Sequence, residues 1–571
     1  MKNARVARIL YEVADLLELD DVPFKPRAYR RAAQAIEDCS TPIEDLAAEE
    51  RLTELPGVGE AIAKKVAEIV ATGKLAYHEE LKEKLPVELH ALTQVEGIGP
   101  KTARLLFEQL GVRNLADLER AAQEGRIRSV PGLGEKMEGK VLRWLSETRG
   151  TKDRLLLGRA WPLARHLVDQ LRATGLFQRI EPAGSLRRGK ETVGDLDLLA
   201  VSERPDEAAE AFCSLPDVVE VVAQGPKRCS VRLSDGFQAD LRIVPADSFG
   251  AALQYFTGSK EHNIRLRERA VAQGWKLSEY GLFARDGTIL AGPDEAGIYE
   301  ALGLACIPPE LREDQGEVAA AEKGLLPELV ETSAVRSDLH AHSDWSDGEA
   351  SLAAMARAAE ERGLGCLAIT DHLKFAQAIP GLSPDDLRRQ IEEIRRLREE
   401  ANGLVILAGV EANIARDGTV DVPRDLLKDL DLVIAAVHSH LRLGKAEMTE
   451  RLLRAVENEG VDILGHPTGR LIGERPPYEA DWDEVFRRAA KTGTVIEVNA
   501  HPQRLDLGAE LIRRALGFGV KLAIGTDAHD VAHLDFLEFG VVTARRGWAT
   551  ANDVLNTLPV ESLLAARKRG R

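Results

Sequence analysis

The sequence predicts a multidomain α/β protein in which helical units come first, a mixed α/β unit follows, and a distorted (β/α) barrel ends the chain. Three observations carry that expectation. Nine of the thirteen histidines lie after residue 335, most of them at the ends of short apolar runs. Three Gly-x-Gly segments recur before residue 145, each opening a helical pattern. Between these regions, two strand-like runs, Asp195–Val201 and Phe237–Val244, interleave carboxylates with apolar residues.

The bulk composition suits this organisation. With 44% apolar and 30% charged residues, the 571-residue chain has an ordinary globular balance and room for three to five units. No apolar run is long enough to span a bilayer, so no membrane partner is expected. The start, MKNARVARILYEVADLLEL, reads as an amphipathic helix without the apolar core of a signal peptide. Cys39, Cys213, Cys229, Cys306 and Cys366 are dispersed and show no metal-type spacing, which suggests a reducing, cytoplasmic setting. The net charge of -17 weighs against nucleic-acid binding by the chain as a whole. Local basic clusters nevertheless stand at Lys25, Arg27, Arg30 and Arg31, at Arg187, Arg188 and Lys190, and at Arg265, Arg267 and Arg269. Any one of these alone reads as a solvated helix face.

The helical region is read from its glycines. The segments LPGVGEAIAKKV, VEGIGPKTARLL and VPGLGEKMEGKV place Gly57 and Gly59, Gly97 and Gly99, and Gly132 and Gly134 before helical patterns. Two glycines permit a tight turn and expose backbone N–H groups at a helix start, where phosphate oxygens are attracted. One copy is a plain turn, whereas three favour a clamp on the DNA backbone and resemble the helix-hairpin-helix element.

In the mixed region, residues 152–178 read as a helix, followed by a strand and the turn Gly184-Ser185-Leu-Arg-Arg188-Gly189. Asp195 and Asp197 then alternate onto one face of a strand, and Asp240 offers a third acid on another. Three such acids can hold two Mg²⁺ ions for attack at a phosphate, with donors from the Gly184-Ser185 turn and a bidentate cation from Arg188. The bland alternative is a solvated edge strand.

The final region places His340-Ala-His342 with Asp347, then Thr370-Asp371-His372, Glu411, His438-Ser-His440, His466 and Thr526-Asp527-Ala-His529 after successive apolar runs. Imidazole and carboxylate ligate zinc, manganese and iron, and nine of them exceed the needs of one ion. Strand ends on one face of an α/β barrel are where they can meet. The alternative is scattered surface histidines with capping aspartates.

Gly184-Ser185 followed by Asp195-x-Asp197 resembles the nucleotidyltransferase signature. With the three hairpin segments and Tyr255-Phe-Thr-Gly258-Ser, the chain resembles family X DNA polymerases of the polymerase beta type. The histidine-rich part resembles a PHP (polymerase and histidinol phosphatase) domain. The conjunction covers essentially the whole chain, which is identified as a member of the bacterial family X polymerases carrying a PHP domain. The resemblance implies a helix-hairpin-helix N-terminal domain of the 8 kDa type at 1–85 and a second, fingers-type helical DNA-binding domain at 86–150. A nucleotidyltransferase palm at 151–250, a thumb at 251–313, a linker at 314–334 and a seven-stranded PHP barrel at 335–571 complete the expected order.

Site roles follow from the same resemblance. Asp195, Asp197 and Asp240 match the catalytic, metal-holding acids of the palm, with two Mg²⁺ or Mn²⁺ ions expected. Gly184, Ser185, Arg188, Gly194 and Gly258 match positions around the incoming triphosphate, and Arg159 matches loosely the remote arginine that reaches it. Lys260 stands where the animal enzyme carries an acid, so stronger triphosphate binding is expected. Tyr255 and Phe256 match the pair lining the sugar pocket, Asn263 the reader of the minor-groove base edge, and Arg267 the template-strand contact. Lys65 stands where polymerase beta carries its Schiff-base lysine, with Lys25 and Tyr29 at supporting positions. Thr53 and Ala61 replace two family cations, so a DNA-contacting lysine is an equal reading.

The nine PHP ligand positions are His340, His342, Asp347, His372, Glu411, His438, His466, Asp527 and His529, for up to three Mn²⁺ or Zn²⁺ ions, with Glu411 as the bridging carboxylate. His440, His501 and His533 stand outside the nine as candidate phosphate contacts or donors supporting the ligands, with plain surface positions as the alternative, and Arg504 as a residue to orient a phosphate. The implied function is gap-filling DNA synthesis in base excision repair, with a metal-dependent 3′–5′ exonuclease that extends to abasic-endonuclease or 3′-phosphatase activity. Gapped or primer-template DNA and dNTPs are the expected partners of a monomer. Two rival readings are a PHP domain that hydrolyses a small phosphate or pyrophosphate, and a catalytically silent DNA-end scaffold.

Overall fold

The computed structural model describes residues 3–19, 25–37, 43–49, 51–55, 57–84, 92, 95, 98, 100–142, 154–373, 381–401, 403–420 and 422–568. They form two compact units, one up to residue 142 and the other from residue 154 onward.

The first unit is helical. Helices Asn3–Leu19, Lys25–Glu37, Glu60–Thr72, Ala76–Lys84, Pro100–Leu110 and Leu115–Gln123 turn their apolar faces onto one hydrophobic cluster that runs from Val6 to Val141. The two N-terminal domains expected at 1–85 and 86–150 therefore share a core, because the first helix packs on both Ala76–Lys84 and Pro100–Leu110. One backbone hydrogen bond recurs at the three glycine segments. Val58, Ile98 and Leu133 each donate a backbone N–H to the carbonyl three residues earlier, on Leu55, Val95 and Val130, at 2.9–3.0 Å.

The second unit begins with a five-stranded sheet in the order Arg179–Pro182, Leu196–Val201, Gln238–Ile243, Arg228–Leu233, Val218–Ala223. Helices Leu157–Ala173 and Pro205–Cys213 bury Leu167, Leu171 and Phe212 in the core beneath it. The central pair is parallel and aligns Asp197 directly with Asp240. Helices Phe249–Thr257 and Lys260–Ala272 follow, with a three-stranded antiparallel sheet between Lys276 and Ala291.

The stretch expected as a linker is instead packed structure. Helix Glu317–Glu322 buries Glu317 completely, and the Glu317 carboxylate meets His262 Nδ1 at 2.7 Å, while His262 Nε2 lies 2.9 Å from Tyr299 Oη. A buried ionisable pair linking residues 55 apart holds the segment against the thumb helices, which its Glu, Ala and Gly content does not reveal.

From Ser337, seven parallel strands run in sequence order: Ser337–Ala341, Cys366–Ile369, Val405–Asn413, Leu432–Ala436, Ile463–Leu464, Val495–Asn499 and Leu522–Gly525. The circle is completed where His342 N–H donates to Ala528 O at 2.7 Å and Asp527 N–H to His340 O at 2.8 Å. Helices cover the strands, which explains their near-continuous apolar runs. The barrel and palm also share a core. Leu505 and Phe539 belong to the palm cluster, and Arg470 pairs with Glu191 and Arg165 with Glu538, each at 2.7 Å.

Candidate metal centres

The palm strands bring Asp195, Asp197 and Asp240 together, with carboxylate oxygens within 4.8 Å of one another. Asp240 is the buried member. It accepts from the Ser230 hydroxyl and, at 3.1 Å, from Gln238 Nε2, and Arg228 stands 4.0 Å away. Gly184 follows the strand beside them with φ +60, and a Cβ there would lie 2.3 Å from Asp197 Oδ2, so only glycine lets the backbone approach this carboxylate. Burial, and then Asp195 and Asp240, push the Asp197 carboxyl up to about 7. Asp195 is raised as well, by burial and Asp240. Three acids this close, two of them held back from ionising, fit a site completed by divalent cations.

This shift has a testable consequence. A carboxyl whose folded pKa is raised is penalised when ionised, so the penalty is absent below its ordinary 3.8, grows as pH rises, and is complete above about 7. In metal-free protein, Asp197→Asn is therefore expected to be more stable than wild type at pH 8, by at most roughly 4 kcal/mol, with the difference vanishing near pH 4. Denaturant melts at the two pH values in chelator read this out. Equal stabilities at pH 8 would contradict the shift.

Other expected nucleotide-site residues surround these acids. Arg188 donates through Nη1 to Thr257 O at 2.6 Å and through Nε to Glu313 at 3.1 Å, which brings the Gly184–Gly189 turn onto the start of the thumb. Gly258 lies against it, since a Cβ there would stand 3.1 Å from Arg188 Nη1. Ser185 is half-buried on the intervening turn. Gly194 lies against Arg154, a cation that sequence reasoning passed over and whose charge acts on Asp195. Tyr255 and Phe256 meet edge-to-face at 5.1 Å, and Asn263 is fixed by Nδ2–H to Tyr255 O and by Gln254 Nε2 to its own Oδ1, both 2.7 Å. Lys260 is exposed on the first turn of helix Lys260–Ala272, and Arg267 is half-buried further along it. Arg159 is exposed and pairs with Asp235 at 3.8 Å.

In the helical unit, Gly59 caps helix Glu60–Thr72 without a side-chain acceptor, and Gly57 and Gly132 both have φ +86. Gly134 precedes the helical residues 135–142. Lys65 Nζ sits 4.6 Å over the Tyr77 ring, near buried Tyr29, whose hydroxyl is pushed up to about 12 by burial and Tyr77. Gly97 and Gly99 lie outside the described residues.

In the barrel, all nine expected ligand residues gather at the C-terminal ends of the strands. Three overlapping groups form: His342, Asp347, His372 and His529; His340, His342, Glu411 and Asp527; and His372, Glu411 and His438. Glu411 joins them. Its Oε1 lies 2.8 Å from His466 Nε2 and 3.0 Å from His438 Nε2, and its Oε2 3.1 Å from His372, 3.4 Å from His340 and 3.5 Å from His342. Burial opposes ionisation of Glu411, but the imidazoles of His372, His438 and His340 hold its carboxyl well below the ordinary range. The buried Nδ1 atoms of His342 and His466 have no hydrogen-bond partner among the described residues. Such a donor set fits divalent cations.

Several supporting residues were not foreseen. Glu497, inward on the sixth strand, meets His340 Nδ1 at 2.6 Å and accepts from the His466 backbone, which leaves His340 Nε2 facing the cluster. Asn499 Nδ2 donates to Asp527 Oδ2 at 3.1 Å, and Arg504 Nε lies 3.2 Å from the same carboxylate. A Cβ at Gly525 would lie 2.3 Å from His340 Cβ and 2.6 Å from Glu497 Oε1, so a larger residue would displace that pair. Asp371 turns away from the nine and accepts from Ser343 N–H at 2.8 Å and from the Ser343 hydroxyl at 2.6 Å. His501 and His533 pack edge-to-face at 5.6 Å beside Phe536, and His440 is half-buried outside the groups.

Fold and side-chain clusters thus define a class: a helical unit, a nucleotidyltransferase-like palm with three clustered acids, and a barrel with a cluster of histidines and carboxylates. Comparison with known proteins matches the helical, thumb and barrel regions separately and the chain as a whole. Family profiles match a helix-hairpin-helix domain at residues 1–75, a SAM-like helix-hairpin-helix tandem at 89–147, a DNA polymerase beta thumb at 252–313 and a PHP domain at 338–501. The chain is 37% identical to the DNA polymerase/3′–5′ exonuclease PolX of Bacillus subtilis over 573 aligned residues, spanning 100% of both. It is 26% identical to rat DNA polymerase lambda over 54% of this chain and 56% of that one. A probable phosphatase of Thermoanaerobacter pseudethanolicus is 31% identical over 38% of this chain and 89% of its own. The chain belongs to the bacterial family X DNA polymerases that carry a PHP domain.

Proposed function

We propose that this protein fills short gaps in DNA during base excision repair with its palm and removes nucleotides from 3′ ends with its barrel. As a member of its family the chain is a DNA polymerase with 3′–5′ exonuclease activity, and both reactions use divalent metals. The observation that carries the reading is that one folded unit holds two separate donor sets: three palm acids, and eight barrel residues in overlapping groups with His466 against Glu411.

In the palm, Asp195, Asp197 and Asp240 would hold two Mg²⁺ or Mn²⁺ ions. Such ions activate the primer 3′-oxygen and neutralise the leaving pyrophosphate. Ser185, the Gly184 backbone and Arg188 then orient the triphosphate, with Gly194 and Gly258 leaving room and Lys260 adding charge. Asn263, locked from both sides, would present a fixed edge to the minor groove, and Arg267 would contact the template strand. The hairpin turns, with Gly57, Gly59, Gly97, Gly99, Gly132, Gly134 and Lys65, hold the DNA backbone.

In the barrel, the nine ligands would hold up to three Mn²⁺ or Zn²⁺ ions, which make water nucleophilic at neutral pH. Glu411 keeps the groups in register, Glu497 fixes the His340 tautomer, and Arg504 is placed to orient a phosphate. A second reading, hydrolysis of small phosphate monoesters, is favoured by the resemblance to the probable phosphatase. Purified wild-type protein on a one-nucleotide gap, with Mg²⁺ or Mn²⁺ and with chelator, tests both. Metal-dependent filling and 3′ shortening are expected. Release of phosphate from a nucleoside monophosphate without 3′ shortening would select the second reading.

Tyr255 and Phe256 are expected to crowd a ribose 2′-OH, so the wild-type protein should favour a dNTP over the matching ribonucleotide by about 10²-fold or more in kcat/KM. Equal efficiency for the two sugars would refute the sugar-pocket role.

A further inference from the structure

The barrel reaches into the frame of the nucleotide site. Arg546, the last residue of helix Leu537–Arg546, is nearly buried, and its Nη1 donates to the Arg188 carbonyl at 2.6 Å and to Glu313 Oε1 at 3.2 Å. The same Glu313 oxygen accepts from Arg188 Nε at 3.1 Å and lies 3.7 Å from Lys190 Nζ. One carboxylate is thus shared by three cations, two on the phosphate-binding turn and one on the barrel. The turn also sits on the barrel backbone-close: a Cβ at Gly189 would lie 2.2 Å from Val542 Cγ1 on that helix.

We infer that Arg546 is a positioning residue for nucleotide addition, holding Arg188 in place from the barrel side. The inference rests on the reading that Arg188 binds the triphosphate. Two effects combine. The Arg546 hydrogen bond fixes the main chain of Arg188, and with it the origin of the side chain that meets the phosphates. Arg546 also shares the Glu313 charge, so that Arg188 can turn its guanidinium toward a triphosphate without leaving that carboxylate unpaired. Without Arg546, Glu313 would hold Arg188 more tightly and oppose the incoming anion. The PHP barrel therefore contributes to polymerisation through a contact that involves none of its metal ligands.

The test uses full-length protein on a one-nucleotide gap, measuring KM for the dNTP, KM for the DNA and the rate of 3′-end hydrolysis on each preparation. Arg546→Ala is expected to raise KM for the dNTP by about 10- to 100-fold, the range for losing a charged hydrogen bond at a nearly buried group. KM for DNA and the hydrolysis rate should change by less than about twofold. Arg546→Lys, which keeps the charge but not the forked geometry, should fall between the two. Arg188→Ala should raise the dNTP KM by itself, and adding Arg546→Ala to it should change nothing further. An unchanged dNTP KM in Arg546→Ala, a parallel fall in hydrolysis, or full additivity with Arg188→Ala would each overturn the positioning role. An unchanged dNTP KM in Arg188→Ala would instead remove the triphosphate reading on which it rests.

Discussion

Asp240→Ala and Asp197→Ala are each expected to slow nucleotide addition on gapped DNA by at least about 10³-fold, an increase of about 4 kcal/mol in the barrier. The two residues lie opposite each other on paired parallel strands and share a centre with Asp195. Removing either leaves the cations with an incomplete carboxylate set just where negative charge accumulates in the reaction. DNA affinity should be nearly unchanged, because phosphate contacts are assigned to the helical unit and sit in different residues. Single-turnover primer extension, together with DNA binding measured in chelator, checks both halves. Primer extension near the wild-type rate in either variant would remove the role proposed for these acids.

Glu411→Ala is expected to have the largest effect in the barrel, lowering 3′-end hydrolysis by about 10³-fold or more. The reason lies in its contacts. Five imidazoles approach its two oxygens, and two of them, His342 and His372, belong to the group that lacks it, so its loss touches residues of all three groups. His342→Ala should be severe but milder: both residues belong to two groups, but it removes one imidazole whereas Glu411 faces five. Hydrolysis rates in Mn²⁺ for the two variants give the order. Wild-type hydrolysis in Glu411→Ala would make the histidine cluster structural.

Both sites were legible from the sequence for the same physical reason. Parallel and half-buried strands alternate or end in a regular way, so acids such as Asp195, Asp197 and Glu411 announce themselves against apolar neighbours. What was not legible depends on long-range pairing. Glu497 lies inside an apolar strand and looks like an interruption of the core until His340, 157 residues away in sequence, is seen against it. The segment from Gly316 to Ser333 has the composition of a linker, yet Glu317 is anchored by His262. The boundary drawn near residue 85 between two helical domains follows the glycine repeats, whereas the apolar face of the first helix joins both sides. With a linker at 314–334, separation of the two donor sets would follow from domain order alone. In the folded chain it follows only from separate ligand sets, since palm and barrel share buried residues and the Arg188–Arg546 contact.

The central claim is that one chain carries two chemically independent metal centres on DNA. The most direct measurement follows primer extension and 3′-end shortening by Asp240→Ala and Glu411→Ala side by side on the same gapped substrate in Mn²⁺. The account predicts that Asp240→Ala shortens but does not extend, and that Glu411→Ala extends but does not shorten. Loss of both activities in either folded variant, or retention of both, would contradict it.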